Sequence, residues 1–236
     1  MANNYFSFKQ FTVYQDKCAF KVGTDGVLLG ACADISGARN ILDIGTGTGL
    51  IALMLAQRCE AEIAAIEPDP SSFKQARSNI ENCRWKDRIK VINTKLQDYF
   101  PDSAKFDLIV SNPPFFTDSL PNPNQAKAAA RHNKMMNNEE LLSGVSRLMA
   151  SGGKFQVIMP YVEGNILIAE AQGFGLYCVN ILKIKPLPTS EIRRMILTFT
   201  RGKKKPYGSF LTIEHGKRHE FTEEYKNLTK DFYLKF

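Results

Sequence analysis

Asn112, Pro113, Pro114 and Phe115 place two oxygen acceptors, two stiff rings and one aromatic face in four consecutive residues. That set suits an amine attached to an sp² carbon, whose lone pair is delocalised and poorly nucleophilic. The Asn112 side-chain oxygen and the Pro113 carbonyl can each accept one N–H of such an amine. The lone pair is thereby oriented, and positive charge growing on nitrogen is stabilised. The prolines fix the carbonyl geometry in advance, and Phe115 offers a face to a planar substrate. No strong base is needed, because the alkylated, protonated nitrogen is very acidic; positioning dominates. Taken alone, the same four residues also fit a proline-stiffened loop with Phe115 packed in a core.

A second motif bears on that choice. Leu42-Asp43-Ile44-Gly45-Thr46-Gly47-Thr48-Gly49-Leu50 lies between an apolar run with strand character and a run with helical spacing. Glycines let backbone approach a ligand closely, and a helix N-terminus offers donors to negative groups. A dinucleotide fingerprint has its third glycine three residues after the second; here Leu50 stands there, which disfavours a nicotinamide cofactor. Glu67 ends the next apolar run, where a carboxylate can accept from both hydroxyls of a ribose. The plainer reading is a tight turn with nothing bound.

The DIGTGTG run followed by Glu67 resembles the cofactor site of class I S-adenosylmethionine-dependent methyltransferases. The resemblance implies an α/β, Rossmann-like fold: a seven-stranded, mostly parallel sheet with helices on both faces and a reversed strand pair at its end. It implies S-adenosyl-L-methionine at Asp43, Gly45, Thr46, Gly47, Gly49 and Glu67, with Gln97 and Asp98 beside the adenine and Asn112 at the junction with substrate. Asp98 could equally cap a helix.

The NPPF pattern is that of methyltransferases acting on planar amino groups. Phe20-Lys21-Val22-Gly23-Thr24-Asp25-Gly26-Val27-Leu28-Leu29-Gly30-Ala31 resembles a segment of the bacterial tRNA1(Val) adenine-N6 methyltransferases. Arg131-His132 and the ending Leu228-Thr229-Lys230-Asp231-Phe232-Tyr233-Leu234 are also similar to that family, so the likeness covers nearly the whole chain. It implies a methyl transferase acting on N6 of adenosine 37, with the anticodon stem-loop of a tRNA as partner. Lys21, Thr24 and Asp25 would approach the methionine end of the cofactor, although Thr24 and Asp25 also fit a capped helix start. Alternative acceptors are another nucleobase in rRNA or DNA, or a protein glutamine. The glutamine enzymes have NPPY and a helical domain for which there is little room before Gly45. A non-catalytic RNA-binding module on the same fold is the alternative outside catalysis.

Charge points to a polyanion. Residues 1–182 hold 18 basic and 18 acidic side chains, whereas residues 183–236 hold 13 and 6, so the last segment carries the entire +7 excess. Arg193, Arg194, Lys203, Lys204 and Lys205 there, with Arg131 and Lys134 after the NPPF turn, are the candidate RNA contacts. A solvated lysine-rich face is the competing reading. His132, His215 and His219 have no metal-ligand spacing, and no metal is expected.

The elements that must position these residues follow a regular alternation. Strand character marks 40–44, 62–67, 89–93, 106–110 and 154–159; helical spacing marks 27–33, 50–59, 70–81 and 138–150, with Gly152-Gly153 as a stop and turn. Two late strand-like runs, 177–184 and 194–200, pair at the sheet's end. The aromatic opening suggests a hairpin. We read residues 1–236 as one domain, with 1–25 a hairpin or lid extension and 183–236 its basic C-terminal part. The long stretch between Phe116 and Asn138 is too long for an ordinary connection. Five scattered cysteines fit a reducing compartment, and neither a signal sequence nor an apolar span is evident. The expected location is the cytoplasm.

Overall fold

The computed structural model describes residues 3–18, 21–101, 105–114 and 136–236. A hairpin of β1 (Tyr5–Ser7) and β2 (Thr12–Tyr14) comes first. The main sheet contains β3 (Asn40–Ile44), β4 (Glu62–Ile66), β5 (Ile89–Ile92), β6 (Phe106–Ser111), β7 (Met149–Pro160), β8 (Tyr177–Lys185), β9 (Arg194–Thr200) and β10 (Tyr207–Thr212). Their order is β10-β8-β9-β7-β6-β3-β4-β5. Every neighbouring pair is parallel except the two involving β9, which runs against both β7 and β8. This is the class I methyltransferase fold.

Six α-helices fill the connections among the described residues: α1 (Thr24–Cys32), α2 (Leu50–Arg58), α3 (Pro70–Glu81), α4 (Asn138–Leu148), α5 (Tyr161–Ala171) and α6 (Glu223–Thr229). Local chemistry sets their starts. The Asp69 side chain accepts the Ser72 N–H at 2.8 Å ahead of Pro70, and Asn137 and Glu140 form a reciprocal capping box. Side chains alternate across each strand, so the sheet builds two apolar layers. Ile41, Leu108 and Val110 pack with α1, α2, α6 and the hairpin; Leu42, Ile44 and Ile109 pack with α4 and α5. No described helix is long and apolar enough to cross a membrane.

Two sequence expectations need correction. The sheet has eight strands, not seven, because Tyr207–Thr212 adds to β8 in parallel. Of that strand only Leu211 is buried, so its sequence lacks the apolar run of a central strand. Second, Gly152-Gly153 lies inside β7 and does not end a helix. Phe106 pairs with Met149 and Leu108 with Lys154, so β7 takes several extra residues opposite Asp107 and bulges. Gly153 fits this bulge for want of a side chain: an added Cβ would lie 2.7 Å from the Phe106 carbonyl oxygen and 2.8 Å from Met149 Cγ.

Gly153→Ala should therefore destabilise the protein by about 1–3 kcal/mol through overpacking. Gly152→Ala, with nothing within 4 Å of the added methyl, should leave the urea midpoint nearly unchanged. Equal midpoints for the two variants would remove the bulge from this account.

Candidate functional site

The C-terminal ends of β3, β4 and β6 meet at one edge of the sheet, where open α/β sheets bind ligands. The turn after β3 carries Gly45, Gly47 and Gly49 at φ of 70°, 59° and 85°. Side chains other than glycine rarely adopt such backbone, which is the physical reason for the GxGxG register. The N–H groups of Gly45 and Thr46 both donate to the Ile66 carbonyl, at 2.9 and 3.1 Å, tying this turn to the end of β4.

Glu67, one residue further, locks the turn. Its Oε2 accepts the Gly47 N–H at 2.9 Å, and its Oε1 accepts the Asp69 N–H at 2.9 Å. The Glu67 N–H in turn donates to Ile92 at the end of β5, and Asn93 Nδ2 donates to the Glu67 carbonyl at 2.8 Å. Each carboxylate oxygen retains a free lone pair. Burial pushes the Glu67 carboxyl above its ordinary range despite the two N–H bonds.

Asp43 is fully buried beneath the turn, on the α2 side of β3. The Thr46 hydroxyl donates to its Oδ2 at 2.6 Å, whereas Oδ1 has no hydrogen-bond partner. Desolvation lifts this carboxyl from 3.8 to about 7 and Glu67 adds repulsion, although the Thr46 hydroxyl and the Ala52 N–H favour the charged form. The Ala52 N–H acts here without closing a hydrogen bond.

The Asn112 turn follows β6 directly. Ser111, fully buried, donates its hydroxyl to the Ile44 carbonyl at 3.0 Å and so pins the end of β6 to the end of β3. Asn112 is half-buried, Pro113 buried and Pro114 exposed. A Cβ added at Gly26 would lie 3.0 Å from Leu50 Cδ2 and 3.8 Å from Asn112 Nδ2, which places the start of α1 against both motifs.

The N-cap of α1 is Gly23, with no side-chain cap, so Thr24 and Asp25 do not serve as caps. Asp25 Oδ2 instead accepts from Arg194 Nε at 2.8 Å, joining α1 to the start of β9. Lys21, Gly23 and Thr24 are exposed beside this pair. Gln97 and Asp98 are exposed on a turn, not at a helix start. Arg147 of α4 brackets that turn, donating to the Leu96 and Tyr99 carbonyls at 2.9 and 2.8 Å with its guanidinium 4.4 Å from the Phe100 ring centroid.

Phe115, Arg131 and Lys134 lie outside the described residues, as do Phe20, Phe116 and His132. Arg193 is exposed at the site edge of the sheet; Lys203, Lys204 and Lys205 are exposed on the loop between β9 and β10, away from it. Among the described residues no group of three or more His, Cys, Asp or Glu could hold a metal ion. Ser111, Asn93, Arg147 and Asn79 escaped the sequence reading. Asn79 joins three segments: it accepts the Tyr14 N–H and donates to the carbonyls of Tyr14 and Thr48, so the hairpin is stitched to the glycine turn. The only local signal was an asparagine at a core-facing position of α3.

Residues 22–160 match the family described as methyltransferase small domain. The chain is 49% identical over 236 residues to the tRNA1(Val) (adenine(37)-N6)-methyltransferase of Phocaeicola vulgatus, covering 99% of both chains. Identity is 47% to the enzyme of that name from Bacteroides thetaiotaomicron, again over 99% of each, and 46% to that of Trichodesmium erythraeum over both full lengths. Among solved structures, a predicted O-methyltransferase from Agrobacterium tumefaciens superposes with TM-score 0.63 at 22% identity, covering 88% of this chain and 96% of that one. A glycopeptide N-methyltransferase complexed with (S)-adenosyl-L-methionine gives 0.56 at 12%, covering 78% and 90%. These two speak for the fold.

The raised Asp43 carboxyl has a pH consequence. The folded chain keeps a proton up to about pH 7 that the unfolded chain releases near pH 4. Within that window the native state binds more protons, so this group's contribution makes stability fall as pH rises, levelling off above pH 7. Asp43→Asn should remove that component. Urea unfolding at pH 5 and pH 8 should show a smaller loss in the variant than in the parent; an unchanged loss would contradict the assignment.

Proposed function

The chain belongs to the methyltransferase small domain family and, within it, to the tRNA1(Val) (adenine(37)-N6)-methyltransferases, and from that membership we propose that it methylates N6 of adenosine 37 in tRNA1(Val). We read the whole chain as one methyltransferase domain, with the anticodon stem-loop as the part of the RNA that enters the site. What supports this most is the convergence of the Asn112-Pro113 turn and the Gly45–Gly49 turn, linked by Ser111, at one edge of the sheet.

S-adenosyl-L-methionine supplies an electrophilic methyl group when bound. The donor set fits it. Gly45 leaves open space where a Cβ would stand, and the turn that carries it leads into the N-terminus of α2, capped by Gly49 with no side-chain hydrogen bond. The Glu67 oxygens, held by two N–H groups, retain acceptor capacity for ribose hydroxyls. In this reading Asp98 and Gln97 hold the adenine, and Lys21, Thr24 and Asp25 border the methionine end. Asp43 acts from below by fixing Thr46.

The chemistry of the chain's own groups follows. Asn112 Oδ1 and the Pro113 carbonyl each accept one N–H of the adenine amine and stabilise charge developing on that nitrogen. Burial of Pro113 fixes its carbonyl without further reorganisation. Phe115 supplies the stacking face for the base, which an anticodon loop presents unpaired at low cost. Arg193, exposed beside the start of β9 at the same edge, is the candidate contact for RNA backbone flanking that base. Arg194, paired with Asp25, holds α1 and β9 together at the same edge.

Asn112→Ala should lower kcat on an unmodified tRNA1(Val) transcript by about 10²–10³, as for loss of one electrostatic partner, while the affinity for S-adenosyl-L-methionine stays within threefold. A variant as active as the parent would sink the proposal. Arg147→Ala should act differently. It frees the turn bearing Asp98, so KM for S-adenosyl-L-methionine should rise several-fold with kcat at saturation nearly kept, and Arg147→Lys should restore part of the loss. A fall in kcat alone would remove Arg147 from cofactor positioning.

A further inference from the structure

The lysine run does not lie beside the Asn112 turn. Phe199 pairs with Phe155 and Phe155 with Ile109, so Thr200, where the 201–206 loop begins, is level with Leu108. That is four residues short of Asn112 and two strands from β6, and at the other end of the loop Tyr207, through Asn180, Thr198 and Gln156, is level with Val110, two residues short of Asn112 and four strands away. At about 3.3 Å per residue and about 4.8 Å per strand, the two ends of the loop lie roughly 16–20 Å from the turn. A base seated at Asn112 and its immediate neighbours do not reach so far.

The loop and the strand it feeds have the surface of a nucleic-acid contact. Lys203, Lys204 and Lys205 are all exposed, and among the described residues none is ion-paired. Tyr207 and Phe210 follow on β10 with 68% and 64% of their surface open, large values for aromatic side chains. Lys183 of β8 lies 5.5 Å from the centroid of the Phe210 ring. The rings are at positions i and i+3 of the strand, so strand alternation puts one on each face of this edge strand. Arg201, by contrast, is spent within the fold, donating to the Ser146 and Met149 carbonyls at the end of α4. Clustered ammonium groups with open rings beside them suit a sugar–phosphate backbone carrying an unpaired base. The positive excess of the chain, confined to residues 183–236, matches a polyanion and not an apolar partner.

We propose that the 201–206 loop and β10 form a second RNA surface, which holds a helical part of the substrate remote from the adenosine being methylated. The inference rests on the RNA-methylation reading and deepens it: the enzyme would measure the folded RNA at two points, with chemistry at one and backbone contacts at the other. Lys203, Lys204 and Lys205 take phosphates; Tyr207 and Phe210 take an unpaired base or the sugars next to the helix.

Two RNAs separate this from a contact to the anticodon loop itself: a full-length tRNA1(Val) transcript and the isolated anticodon stem-loop. Binding of each is measured by fluorescence anisotropy across a potassium chloride series, for the parent, for the variant Lys203→Glu/Lys204→Glu/Lys205→Glu, and for Tyr207→Ser/Phe210→Ser. The lysine variant should bind the long RNA roughly tenfold or more weakly, with a log–log salt slope smaller by about 2–3. Its affinity for the stem-loop, its turnover of the stem-loop and its affinity for S-adenosyl-L-methionine should stay within twofold. The aromatic variant should weaken long-RNA binding with the salt slope kept. Equal losses on both RNAs would mean that the run touches the loop, and no loss on either would make it a solvated face; each overturns the proposal. If the parent methylates neither RNA yet binds the long one through these lysines, the surface stands and the methylation reading fails.

Discussion

A single residue, Glu67, ties together the ends of three neighbouring strands, through its carboxylate and its backbone. Glu67 receives the Gly47 N–H from the turn after β3, fixes its own turn through Asp69, and presents its backbone to Ile92 and Asn93 at the end of β5. Because the carboxylate accepts from two backbone N–H groups, it fixes main-chain path as well as side-chain position. The three positive-φ glycines let that path exist. Without the Glu67 link the Gly47 N–H would lose its side-chain partner and the turn its tie to the segment after β4. Its burial, which raises the carboxyl's pKa, marks the cost of keeping an acceptor there.

Around that link the molecule adds braces that share one pattern: a polar side chain satisfying backbone carbonyls of a distant turn or strand end. Ser111 reaches Ile44, Asn79 reaches Thr48 and Tyr14, and Arg147 reaches Leu96 and Tyr99. Each brace ties such a segment to a helix or strand of the core. The Asn112 turn and the Gly45–Gly49 turn thereby become parts of one braced edge, as the proposed reaction, governed by positioning, requires. The hairpin, far from the chemistry in sequence, belongs to the same assembly through Asn79.

Much of this was legible in the sequence, and the reasons are specific. The 40–44 strand and the 70–81 helix were read with the bounds they have, because a buried parallel strand is a short apolar run and Asp69-Pro70 is a strong helix start. The glycine register and Asn112-Pro113 were legible because their chemistry is local. β10 was missed because an edge strand buries little, and the β7 bulge because Gly-Gly signals a turn unless the opposing strand is known. The Asp25–Arg194 pair joins residues 169 apart that the sequence had assigned to different partners. Position along the chain could not reveal that the lysine run and the Asn112 turn stand so far apart; only the sheet order does.

The central claim is that an adenine amine is the group held at Asn112. It is tested most directly by the identity of the product. Purified protein and isotopically labelled S-adenosyl-L-methionine are given to tRNA from cells lacking this gene, and the RNA is digested to nucleosides and mapped by mass spectrometry. The account predicts label in N6-methyladenosine at position 37 of tRNA1(Val). Label on another nucleoside, at another position, or in protein in place of RNA would contradict it.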